Sequence, residues 1–137
     1  MSTVELLPVL PGMDESWTEA AGVRWFSDES LSVRAVAAAM NALSARFVTI
    51  TAHQLPGARS MRLEYHWDIA GHLLGFRFPL AGNNSIESIY DLCEAADWIE
   101  REVHEEFAIE FTGREYEPLL LRAGDKPGVY LREEAAR

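Results

Sequence analysis

The side chains whose types and spacing bear most on chemistry lie in Asp97-Trp98-Ile99-Glu100-Arg101-Glu102-Val103-His104-Glu105-Glu106-Phe107-Ala108-Ile109. His104-Glu105 begins like HExxH, in which two histidines one helical turn apart bind zinc and the glutamate acts as base. The second histidine would be residue 108, which is Ala108, so that motif is excluded. Glu100 and His104 at i, i+4 offer two metal ligands, but no second cluster supplies a third. Glu102 and Glu106 have the spacing of an acid/base pair, yet they fall on an expected helix surface rather than in an evident pocket. Asp97, Arg101 and Glu105 recur every four residues and so share a face, where each exposed pair contributes about 0.3–0.5 kcal/mol. The face either supports its own helix or holds Arg101 ready for an acidic or backbone group on a partner. Trp98, one turn before Glu102, sets an aromatic anchor beside a carboxylate, the chemistry of a protein–protein hot spot.

Other chemistry is sparse. His66 and His72 flank an expected turn, and surface imidazole is the simplest reading. The serines near acidic residues lack a nucleophile-elbow context, and no Gly-rich loop follows a strand to cradle phosphate. Cys93 is the only cysteine, which excludes an internal disulfide and a Cys-based zinc cage and suits a reducing compartment. The formal charge of −10 argues against nucleic acid as a partner. Fourteen of the acidic residues and six basic ones lie from Asn83 onward, so the acidity gathers around the 97–109 stretch. Met1 is followed by neither a basic start nor an apolar run, and nothing approaches the roughly 18–20 apolar residues of a membrane span. A soluble protein, or one held at a membrane through partners, is expected.

The elements that position these residues follow from periodicity. Val4–Leu10 reads as an edge strand or extended arm closed by Pro11-Gly12, and 13–30 as an irregular stretch with Trp17, Trp25 and Phe26 tacked onto the core. Ser30 or Ser32 caps a helix whose buried stripe is Val33, Val36, Ala37, Met40 and Leu43. Phe47–Thr51 is a β-branched strand, and Gln54-Leu55-Pro56-Gly57 a turn. Met61, Leu63, Tyr65, Trp67 and Ile69 alternate with polar residues. Leu74, Phe76, Phe78 and Leu80 alternate again after Ala70-Gly71, which predicts a β-hairpin whose second strand ends at Pro79 or lies at an edge. Residues 81–85 read as a loop. Ile86–Glu94 and Asp97–Ala108 read as one bent helix or two short ones, with Ile99, Val103 and Phe107 as the core stripe. Leu119-Leu120-Leu121 reads as a short strand or apolar anchor, and 133–137 as a frayed end. These elements predict an α+β fold: a single domain with a mostly antiparallel sheet and helices on one face. An N-terminal arm (1–29), a central domain (30–124) and a C-terminal tail (125–137) divide the chain.

Residues 96–113 also resemble the signature of the 30 kDa subunit of respiratory NADH:quinone oxidoreductase, a module shared with membrane-bound [NiFe] hydrogenases. The family pattern is roughly A-x-W-x-E-R-E-[IV]-[YH]-D-[LM]-F-G-I-x-F-x-G-H-P. Trp98, Glu100, Arg101, Glu102, Val103, Phe107, Ile109, Phe111 and Gly113 fit it in order. The likeness is strong over Ile86–Gly113, loose over Ser30–Leu80 and absent at the N-terminus. Glu105-Glu106-Phe107-Ala108 replaces Asp-Leu-Phe-Gly, so Ala108 takes the place of a glycine that would allow a left-handed helix exit. Gly113-Arg114-Glu115 replaces Gly-His-Pro.

The resemblance implies a non-catalytic, cofactor-free subunit that braces the large catalytic subunit beside an iron–sulfur subunit. The nickel–iron and iron–sulfur centres would belong to those partners. It implies a peripheral position on the cytoplasmic, inner face of the cell membrane. The short stretch after the motif points to the hydrogenase side of the family. Trp98, Arg101 and Glu102 are the expected contacts with the large subunit, Glu105 belongs to the same signature face, and Phe107 and Ile109 hold the helix in the core. The alternatives are a freestanding acidic binding module that kept the fold and changed partner, and a small enzyme using Glu102, Glu106 and His104.

Overall fold

A computed structural model describes residues 18–27, 32–55, 61–80 and 82–132. The Val4–Leu10 arm, Trp17, the Pro56-Gly57 turn and the frayed end lie outside the described residues. The fold is α+β, built from β1 (Thr18–Ala20), β2 (Val23–Ser27), α1 (Val33–Ala42), β3 (Arg46–Gln54), β4 (Met61–Ile69), β5 (His72–Pro79), β6 (Ser85–Glu87), α2 (Ala96–Phe107) and β7 (Glu110–Thr112). The main sheet has the order β1-β2-β5-β4-β3, antiparallel except where β2 runs parallel to β5. A small second sheet pairs β6 with β7 in parallel.

The β4–β5 hairpin forms where alternation required it. Its two-residue turn is Ala70-Gly71, with φ of 49° and 88°, the left-handed pair whose twist matches that of the strands. Asp68 Oδ1 accepts the Gly71 N–H and closes the turn. The strand does stop at Pro79, but β5 lies inside the sheet between β2 and β4. In α1, the Ser32 side chain accepts the Ala35 N–H, and Val33, Val36, Ala37 and Met40 are buried as the stripe predicted.

One face of the sheet carries the core. Tyr65 and Trp67 stack with centroids 6.0 Å apart, and Phe47 and Phe76 meet the indole edge-on at 5.3 and 5.7 Å. Both helices pack on this face, contributing Val36, Met40, Ala96 and Val103 to the same apolar cluster. Burying each large side chain contributes about 1.5–3 kcal/mol, so this cluster is the main reason the fold holds.

The stretch expected to be irregular over 18–27 instead forms β1 and β2. Phe26 reaches the core, while Trp25 lies on the opposite face over Gly75. That opposite face is only half wet. Glu64 is buried there between His53 and Arg77, at 2.6 and 2.8 Å, and His66 is half-buried edge-on to Trp25. Burial alone would raise the Glu64 carboxyl, but the bonds from Arg77 and His53 outweigh it and hold it below the usual range.

The helix expected over 86–94 is absent. Ser85–Glu87 pairs with β7, and residues 89–93 make a single turn closed by Cys93 N–H on Ile89 O at 2.8 Å. Tertiary partners take its backbone instead: Arg34 donates to Ser88 O at 2.7 Å and holds Asp91 through both guanidinium nitrogens, and Asn41 donates to Leu92 O. Leu119-Leu120-Leu121 is likewise neither a strand nor a buried anchor, since it is irregular and Leu120 is exposed.

Candidate functional site

At 100° per residue, α2 has three faces, and each meets a different environment. The inner face carries Ala96, Glu100 and Val103, all buried, with Ile99 and Phe107 only partly covered at its margins. The core stripe is therefore rotated toward Glu100 from the expected Ile99–Val103–Phe107 line. Ile109 and Phe111, just beyond the helix, are fully buried.

Glu100 is 0% exposed and fully engaged. Its carboxylate accepts Ser88 Oγ–H at 2.5 Å and Ile89 N–H at 2.9 Å, and pairs with Arg114 Nη1 at 3.2 Å. Burial pushes this carboxyl up, and those three donors pull it back only in part. Glu100 thus pins the 88–89 turn from inside rather than facing outward.

The second face, Asp97, Arg101, His104 and Glu105, receives the chain's own residues 114–130. Arg114 pairs with Asp97 at 2.5 Å. Arg101 is clamped, as its spacing allowed, but it is held on this chain: it donates to Glu117 O and Pro118 O at 3.1 and 3.2 Å, with Asp97 at 3.7 Å. One turn on, Glu105 accepts the N–H groups of Leu119, Leu120 and Leu121 at 2.9, 2.8 and 3.1 Å. A cation and an anion four residues apart thus read successive carbonyls and amides of one backbone turn. Burial alone would raise the Glu105 carboxyl, but those three N–H groups hold it below the ordinary range.

The helix end is closed by the same segment. Gly128 and Val129 donate to Glu105 O, and Tyr130 to Glu106 O, satisfying carbonyls the last turn leaves free. Ala108 takes the left-handed conformation (φ 55°, ψ 33°) despite its methyl group, so the exit expected to need glycine is kept. Gly113, at φ 86°, ends β7.

The residues after Gly113 form a column. The Arg114 guanidinium lies over the Tyr90 and Tyr116 rings at 4.8 and 5.2 Å, and His104 stacks on Tyr116 at 4.0 Å. The Tyr116 hydroxyl donates to Phe111 O and accepts Phe111 N–H, and burial raises its pKa so that it stays a phenol. Sequence reasoning assigned no role to Arg114 or Tyr116. The available signal was Asp97 and Glu100 at i, i+3 on an acidic helix, which require a cation once buried. Beside the column, Arg101, His104, Leu121, Arg122 and Asp125 line a half-open cavity of about 160 Å³.

The third face carries the most exposed side chains of α2 among the described residues. Trp98 is 68% exposed, Glu102 lies one turn on and is exposed, and Glu106 follows one turn later, partly covered. Burial and the neighbouring Glu102 raise the Glu106 carboxyl to about 7. Among the described residues, five of the six exposed large apolar side chains sit on α2, on the segment bound to it or on the residue just after that segment: Trp98, Leu120, Val129, Tyr130 and Leu131. Among the same residues, no group of three or more His, Cys, Asp or Glu is placed to hold a metal ion, and no helix is long and apolar enough to cross a membrane.

Comparison with known proteins adds family and fold. No curated protein matches the chain. Among solved structures, the trypsin-resistant fragment (1–134) of Nqo5 superposes with a TM-score of 0.61 at 19% identity, covering 74% of this chain and 89% of that one. The membrane-bound sulfane sulfur reductase, an archaeal respiratory membrane complex, contains a chain that superposes at 0.67 with 19% identity, covering 82% of this chain and 69% of its own. Both likenesses establish the fold. Residues 28–135, the greater part of the sequence, match the family described as respiratory-chain NADH dehydrogenase, 30 Kd subunit, and the chain belongs to that family.

Proposed function

We propose that this protein is a non-catalytic subunit, holding no cofactor of its own, that braces the large catalytic subunit of a membrane-bound oxidoreductase complex of the NADH:quinone or hydrogenase type. The observation that carries the reading is Trp98. It stands 68% exposed on the one face of α2 that neither the core nor the 114–130 segment covers. A tryptophan buries about 150–250 Å² when a partner covers it, which makes it the natural anchor of a docking face. Family membership supplies the kind of assembly. The single cysteine fits a chain without iron–sulfur centres, which need several thiolates, so such centres and any nickel would lie in the partner subunits. In this reading the chain sits peripherally on the cytoplasmic face, held through the complex.

Glu100, Phe111 and Ile109 then support the docking helix from within, and Arg101 and Glu105 hold its wrap. Trp98 and Glu102 remain as the contacts. The test is co-purification of the tagged chain from native membranes, followed by Trp98→Ala. Recovery of a large redox subunit and a cluster-binding subunit is expected, with binding reduced at least tenfold in the variant while the isolated chain keeps its melting temperature. A stable monomer that recovers neither subunit would reject this role and favour the freestanding acidic binding module.

A further inference from the structure

The five acidic residues of α2 are not equivalent. Asp97 is paired with Arg114 and Arg101, Glu100 with Arg114, and Glu105 with three backbone N–H groups. Glu102 and Glu106 have no cation within ion-pair distance among the described residues. They follow Trp98 at i+4 and i+8 on the face of α2 where Trp98 and Glu102 stand exposed.

Resting on the docking role above, we propose that the partner segment seated on this face lays apolar surface on Trp98 and sets an arginine or lysine on the Glu102–Glu106 pair. Charge complementarity selects this occupant. Glu102 and Glu106 stand one helical turn apart with no described cation beside them, and an incoming cation favours the charged form of both. The raised Glu106 carboxyl reflects the same demand, since burial and Glu102 act on it and no cation among the described residues offsets them. A second copy of this chain is the wrong occupant, because a two-fold contact would bring the same anionic strip against itself on a protein of formal charge −10. An apolar partner segment would leave both carboxylates covered and unpaired.

The experiment titrates the full chain against the rest of its complex, isolated from a strain lacking it, at about 50 and about 300 mM salt, where screening differs strongly. The double variant E102Q/E106Q should bind about tenfold more weakly at low salt, with a flatter salt dependence than wild type. Trp98→Ala should weaken binding at both salt concentrations. If Trp98→Ala weakens binding while E102Q/E106Q matches wild type in affinity and salt dependence, the cation is wrong and the docking face stands. If Trp98→Ala has no effect, the docking reading fails and this inference fails with it. A free chain that dimerises through Trp98 would show that the occupant is a second copy, and would also overturn it.

Discussion

Arg114 and Glu100, fourteen residues apart, form a charge pair almost closed off from solvent: Nη1 lies 3.2 Å from Oε1, and the side chains are 7% and 0% exposed. The pair joins the turn after β7 to the inner face of α2, and through Ser88 and Ile89 to the turn that α1 grips. Removing one partner strands the other in an apolar setting, which costs about 3–5 kcal/mol. Arg114→Ala should therefore lower unfolding free energy by that order in urea titrations. Adding Glu100→Gln should recover part of the loss, because a neutral amide is cheaper to leave buried. Equal, additive losses would show that the two side chains act independently.

Glu105 carries a pH signature. Its folded carboxyl lies below the ordinary 4.5, as does that of Glu64. A lowered carboxyl contributes stability that is complete above the unfolded value. That contribution is lost as pH falls from about 4.5 through the folded value. Glu105→Gln should flatten part of this acid limb and cost about 1–3 kcal/mol at neutral pH, since charged hydrogen bonds to three amides are weakened. Hydrogen exchange should report it locally, with faster exchange at Leu119, Leu120 and Leu121 than at the buried strands. Unchanged exchange at those three amides would remove Glu105 as the clasp.

How much of this was legible depended on whether local pattern or distant partners set the structure. The α1 stripe, the β4–β5 alternation and the existence of helix α2 read directly, because burial of one face imposes a period on the sequence, although the buried stripe of α2 is rotated toward Glu100. Ile86, Ile89 and Cys93 imitate a helical period at i, i+3, i+7, yet Arg34, Asn41 and Glu100 take that backbone into tertiary bonds. The strand β2 was missed for the opposite reason. Val23-Arg24-Trp25-Phe26-Ser27 lies between two strands, with Phe26 in the core and Trp25 covering the far face, so no clean alternation survives. The spacing of Asp97, Arg101 and Glu105 was visible, but Arg101 and Glu105 proved to hold backbone of the same chain, and Asp97 the Arg114 side chain. No local signal distinguishes a carboxylate bound for another protein from one bound for residues 119–121.

Ala108 offers a gain in stability. Its left-handed conformation brings Cβ against the following carbonyl, a cost of about 1–2 kcal/mol for a residue other than glycine. Ala108→Gly should relieve this, offset by the greater freedom glycine has when unfolded, for a net gain of about 0.5–1 kcal/mol. The expected readout is a melting temperature raised by a few degrees, with α2 still ending at the same place. A lowered melting temperature would mean that the Ala108 methyl group matters more to packing near Gly128 than its strain costs.

Gly75 ties the outer face of the sheet to Trp25. A Cβ built at Gly75 would lie 2.5 Å from the indole ring, which itself meets His66 edge-on at 5.1 Å and carries the Arg77 guanidinium at 4.2 Å. Gly75→Ala must push that ring away from both neighbours, a form of overpacking that costs about 1–3 kcal/mol. Trp25→Ala removes the obstacle, so the double variant should be more stable than the sum of the two single losses allows. Arg77 then decides how far the damage spreads, since the same guanidinium donates from Nε to Glu64 at 2.8 Å. Displacing Trp25 should leave the Glu64 pair intact and the acid limb of stability unchanged. A double variant whose losses simply add, or an acid limb that shifts with Gly75→Ala alone, would show that the indole and the Glu64 network are not arranged in this order.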